Sequence, residues 1–68
     1  MSEHVYQKME MVGSSKVSIE DAIKNALRSA AKSGGKLRWF EVVETRGYIE
    51  KGAVAYYQVT LKVGSAAD

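Results

Sequence analysis

The chain has 68 residues, no cysteine and no proline, with 46% hydrophobic residues and a net charge of +2 from ten basic and eight acidic side chains. That length fits one domain whose core supplies only about 3–5 kcal/mol of net stability, and with no disulfide or thiolate metal site available, self-association is the support left. The near-balanced, interspersed charges argue against a dedicated polyanion binder, and no apolar run is long enough for a membrane span or a signal peptide, so the expected compartment is cytoplasmic.

In chain order, Val5 to Val12 alternates as a strand, with Val5, Met9 and Met11 on one face and Tyr6, Lys8 and Glu10 on the other. Gly13-Ser14-Ser15 is expected to end it. Ile19, Ala22, Ile23, Ala26, Leu27, Ala30 and Ala31 then recur at three- and four-residue steps, which predicts a helix with one apolar stripe. Ser18 is its expected N-cap, with Asp21 in the capping-box position and Glu20 and Asp21 favourable to the helix dipole. Glu20 and Lys24 form an i,i+4 pair, Lys32 lies in the last turn, and Gly34-Gly35 supply a permissive C-cap.

Leu37 to Arg46 is rich in aromatic and β-branched residues and predicts a long strand, interrupted at Gly47. A polar turn at Glu50-Lys51-Gly52 leads into a second long strand, about Ala53 to Val63, closing a hairpin. The order β-α-β-β predicts an α+β protomer in which one helix lies on a three-stranded antiparallel sheet. Residues 1–68 form a single domain, with flexible tails expected at 1–3 and 65–68.

One helix covers one sheet face, yet both faces carry useful side chains. Tyr57, Val59, Leu61 and Val63, joined by Phe40 and Val42, form the more apolar face, under the helix. The alternates, Trp39, Glu41, Val43 and Thr45 with Tyr56, Gln58 and Thr60, mix aromatic, β-branched and hydrogen-bonding groups, as an interface or ligand surface does. This second face reinforces the expectation of a homo-oligomer.

The common catalytic constellations are missing. There is no cysteine nucleophile, no G-x-S-x-G elbow, no second histidine for a metal, and the spacing around Gly34-Gly35-Lys36 is not that of a phosphate-binding loop. Glu41 and Glu44 fall on opposite strand faces and make no acid/base pair. The chain therefore reads as a binding protein, not an enzyme.

Trp39 reads in two ways, as the core anchor of a small domain or as an exposed indole that stacks on a planar ligand or a neighbouring chain. Gln58 shares its face by strand parity, and a glutamine amide suits a heterocycle edge carrying both carbonyl and N–H groups. Tight pairing would set Gln58 opposite Val43 or Glu44, roughly 13 Å from Trp39, which favours a ligand held between subunits.

The stretches Trp39 to Gly47 and Gly52 to Gly64, with Val5-Tyr6, Met11 to Ser15 and the I-E-D-A-I-x-x-A-L-x-x-A helix, strongly resemble the dodecins, small flavin-binding proteins. The resemblance runs from His4 to Gly64. It implies a β-α-β-β protomer whose sheet wraps around the helix, with twelve copies closing into a hollow sphere. It also implies flavins stacked between tryptophans matching Trp39, with a glutamine matching Gln58 bonded to the polar edge of the isoalloxazine ring. Arg46 matches a family arginine near ligand and subunit contacts. The implied role is storage and buffering of FMN, riboflavin or FAD with quenching of flavin photochemistry. Some bacterial members also hold coenzyme A at a symmetry axis, for which no residue set here is identified. Two departures stand out: many members continue past Val63-Gly64 with Phe and a basic residue where this chain has Ser65-Ala66, and Gly34-Gly35-Lys36 replaces a bulkier stretch. Two other readings stay open: a structural homo-oligomer with Trp39 as interface anchor and, ranked last, a single-stranded nucleic-acid binder using Trp39, Tyr56 and basic side chains.

Overall fold

The computed structural model describes residues 4–33 and 35–67. Four elements follow in the expected order: β1 (Tyr6–Ser15), α1 (Ile19–Ala31), β2 (Lys36–Glu50) and β3 (Ala53–Ala66). β3 is the central strand, antiparallel to β1 on one side and β2 on the other. No helix among the described residues is long and apolar enough to cross a membrane.

β1 does not stop at Val12. Gly13 pairs with Val59 and Ser15 with Tyr57, so the Gly-Ser-Ser segment belongs to the ladder. Gly13 is needed there because a Cβ would run into the Ala22 carbonyl and the Ala26 methyl, so strand and helix touch where neither carries bulk. Ser15, at the strand end, organises the helix start. Its Oγ accepts from the N–H groups of Val17 (2.9 Å) and Ser18 (3.4 Å) and donates to Asp21 Oδ2 (2.7 Å). Ser18 is the N-cap, its Oγ accepting from the Asp21 N–H at 3.0 Å. The capping-box role expected of Asp21 is corrected: its carboxylate is held by Ser15, while the Ser18 N–H goes to Ser15 Oγ. An aspartate is one methylene shorter than the usual glutamate, which fits this division.

Glu20 and Lys24 lie 3.8 Å apart as the i,i+4 pair. The C-cap is corrected from the glycine pair to Lys32, which follows the last turn; Gly35, at φ 87°, takes the left-handed conformation that turns the chain toward β2, and Gly34 lies outside the described residues. The hairpin closes through Lys51 and Gly52, both at positive φ (52° and 78°), as a two-residue turn matching strand twist requires. Gly47 does not interrupt β2, because it pairs with Tyr57 inside a continuous ladder. β3 likewise runs on to Ala66: Ser65 and Ala66, expected in a tail, pair with Gln7 and Tyr6, and Ala67 N–H donates to Val5 O at 2.8 Å. Residues 1–3 and 68 lie outside the described residues.

The core is small. Val59, Leu61 and Val63 of β3 are buried under Ala22 and Ala26, with Met9, Met11, Ile23, Leu27 and Leu37 packed around them. Phe40 and Val42 share that sheet face through their pairing with Val63 and Leu61, but they are 45% and 44% exposed. The expectation that both lie under the helix is corrected, because α1 rests on β1 and β3 and scarcely reaches β2.

The shape follows from these lengths. Thirteen helical residues span about 20 Å, whereas fifteen strand residues span about 50 Å. The molecule measures 56 × 20 × 14 Å with a radius of gyration of 14.2 Å, against ~11 Å for a compact chain of this length. Its accessible surface of 4998 Å² likewise exceeds the ~4,200 Å² typical of a self-sufficient monomer of its mass. Replacing Gly13 with alanine puts a methyl group into the strand–helix contact, an overpacking costing about 1–3 kcal/mol, so the melting temperature should fall by several degrees. An unchanged thermal melt would contradict this close approach.

Candidate ligand-binding face

The sheet face turned away from the helix is set by β3. Its even-numbered residues Tyr56, Gln58, Thr60, Lys62 and Gly64 point there, and cross-strand partners share a face. From β2 the partners are Tyr48, Arg46, Glu44, Glu41 and Trp39; from β1 they include Ser14, Val12, Glu10 and Lys8.

The alternation of β2 is broken at Val43, where the register shifts between Val42 and Glu44. The extra residue reverses parity beyond it. Thr45, expected beside Trp39 and Gln58, instead pairs with Val59 on the helix face, and Glu44 and Arg46 take the outer face; the expectation that Glu41 and Glu44 lie on opposite faces is corrected, since the bulge puts both on the outer one, opposite Lys62 and Thr60. Simple alternation from Trp39 would send Arg46 to the helix side; the bulge is what brings Arg46 onto the face of Trp39 and Gln58.

Trp39 lies directly opposite Gly64, and its indole occupies the space a Gly64 side chain would fill, since a Cβ there would collide with the ring carbons. Covering a strand glycine with a cross-strand aromatic recovers packing that the glycine forgoes. From β1, beyond Gly64, Tyr6 approaches edge-on at 6.5 Å between centroids, and Lys8 Nζ sits 5.8 Å from the centre of the ring. Lys8 is also 4.0 Å from Glu41. Of the two readings of Trp39, the core anchor is corrected: the side chain is seated on backbone on one side, and the residue is 39% exposed.

Gln58 stands at the other end of this face. It is opposite Arg46, not Val43 or Glu44, because the turn pairs Glu50 with Ala53 and a further register shift follows between Ile49 and Tyr48. Six residues of β3 separate Gln58 from Gly64, the seat of Trp39, or about 20 Å along the strand. One protomer therefore does not bring Trp39 and Gln58 onto one small ring.

Around Gln58 the side chains form a linked row. Tyr48 Oη donates to Gln58 Oε1 at 3.2 Å, and the rings of Tyr48 and Tyr56 lie 4.7 Å apart at 55°. Arg46 Nη2 is 2.6 Å from Glu44 Oε1. Hydrogen bonding with Tyr48, then hydrogen bonding and charge from Glu44, raise the Arg46 pKa above its ordinary value, so the guanidinium is a fixed cation. Beside Gln58 a shallow depression of about 470 Å³ is lined by Ser14, Ser15, Lys16 and Tyr56. Sequence reasoning missed Gly64 and Tyr48. The first carried a signal, a glycine inside a strand pattern, which marks close approach of another group.

A family model described as Dodecin matches residues 5–67. A dodecin from Thermus thermophilus is 50% identical over 60 residues, covering 88% of this chain and 87% of that protein. The solved dodecin of Streptomyces coelicolor superposes with a TM-score of 0.92 at 44% identity, covering 100% of this chain and 97% of that one. Dodecin from Streptomyces davaonensis gives 0.91 at 42% identity, with 98% of each chain covered.

The single tryptophan makes its seat testable. Gly64→Ala should displace the indole, seen as a red-shifted tryptophan emission and greater acrylamide quenching than in the parent protein. Identical spectra for the two proteins would show that the indole does not rest on Gly64.

Proposed function

Because the chain belongs to the dodecin family, we propose that it is a non-enzymatic flavin-binding protein, assembled as a hollow homododecamer, that stores and buffers a flavin and quenches its photochemistry in the cytoplasm. The observation that carries this reading is the indole of Trp39, seated on Gly64 yet 39% exposed, on the same sheet face as the amide of Gln58. An electron-rich indole stacked on an isoalloxazine ring can return an excited flavin to its ground state by rapid electron transfer. Gln58 supplies donors and an acceptor for the polar edge of the ring. Since about 20 Å of strand separates the two within a protomer, Trp39 and Gln58 of different protomers meet the same ligand.

Arg46 contributes a fixed positive charge at the Gln58 end, with Glu44 as its partner. Assembly also supplies what the protomer lacks in burial. Phe40, Val42, Val43, Ile49 and Val54 are all substantially exposed on the long hairpin, and neighbouring copies cover them. That same exposure favours the second reading, a structural oligomer in which Trp39 only anchors an interface.

The two readings separate in a fluorescence titration. Adding protein to FMN should quench flavin emission, and Trp39→Ala should weaken binding by about tenfold or more, the scale of an aromatic stacking contact, while abolishing the quenching that remains at saturation. Unquenched flavin with the wild-type protein, at the gel-filtration size of a dodecamer, supports the structural oligomer instead. Parallel titrations with riboflavin and FAD identify the preferred flavin.

A further inference from the structure

On the outer face Tyr48 Oη donates to Gln58 Oε1 at 3.2 Å, so the Gln58 amide is oriented with its oxygen toward the phenol and its nitrogen away from it. Tyr56, with its ring 4.7 Å from that of Tyr48, restrains the phenol from the neighbouring strand. Tyr48 is half-buried and Gln58 is half-buried, whereas Glu44 and Arg46 are exposed.

We infer that Tyr48 is a positioning residue for the ligand site: by holding Oε1 it turns the Gln58 amide so that Nε2 presents its two hydrogens to the ligand edge. This rests on the flavin reading above. It deepens that reading by assigning the edge that Gln58 meets as one carrying acceptors, a ring carbonyl or a ring nitrogen lone pair. Oε1 has already committed one lone pair to Tyr48, and Nε2 makes no hydrogen bond within the described protomer. The bulge at Val43 puts Arg46 on this same outer face, directly opposite Gln58.

A double-mutant cycle on the full-length protein tests this, with FMN titration as the readout and gel filtration confirming that each variant keeps the parent size. Tyr48→Phe retains the ring packed on Tyr56 and removes only the hydroxyl. It should weaken FMN binding by about three- to tenfold, the scale of one hydrogen bond, while leaving the quenching at saturation unchanged. In a Gln58→Ala background the same substitution should change affinity by less than about twofold, because the group it positions is gone. Gln58→Glu, which still accepts from Tyr48 but has no donor, should lose affinity as Gln58→Ala does. Equal losses from Tyr48→Phe in both backgrounds, or parental affinity in Gln58→Glu, overturn the positioning role while leaving the flavin reading intact. Absence of FMN binding by the parent protein overturns both.

Discussion

The constraint on which this molecule depends is a mismatch of length. A helix of thirteen residues is laid on a hairpin more than twice as long, so most of the hairpin has nothing of its own chain to pack against. On the helix side of β3, Val59, Leu61, Val63 and Ser65 are buried, and Ala22 and Ala26 let the helix approach closely. Gly13 completes that contact from the strand side. Much of the hairpin beyond it is exposed, Phe40, Val42, Val43, Ile49 and Val54 included, which is why a chain with nearly half hydrophobic residues has so small a core.

The same constraint accounts for the location of the candidate site. A sheet without a second covering layer presents a full face of side chains, and on that face the groups able to meet a planar heterocycle sit at opposite ends of β3. Trp39 occupies the Gly64 end, where an indole can lie flat only because the central strand offers no side chain. Gln58 occupies the other end, inside a polar row anchored by Arg46 and Tyr48. On the proposed function these are two half-sites in a monomer. Bringing complementary halves together between protomers would then link ligand binding to assembly, with occupation of the site and coverage of the exposed hairpin stabilising one another.

Local irregularities matter more here than the regular ladder. The bulge at Val43 decides which side of the sheet receives Arg46, and the register shift after Ile49 decides that Gln58 faces Arg46. Both lie within ordinary strand sequence. A one-residue change of pairing reverses every side chain beyond it, so small insertions in this hairpin alter the chemistry of the face far more than its backbone path.

Element order, the Ser18 cap, the alanine stripe of the helix and the hairpin turn were legible in the sequence because each depends on neighbours a few residues away. So was the placement of Trp39 and Gln58 on one face, although it survives in the fold because the register shift after Ile49 and the bulge at Val43 offset one another. The run of β1 through Gly13 to Ser15 was not legible, because only contact with Ala22 and Ala26 explains a glycine there. Nor were the faces of Thr45 and Arg46, or the seat of Trp39 on Gly64. Those follow from how three strands align and where extra residues are accommodated, a balance of cross-strand packing and hydrogen bonding that no single segment carries. The sequence by itself thus determined that an indole and a glutamine amide share one sheet face, while the tertiary structure decided that they are too far apart to meet within one chain.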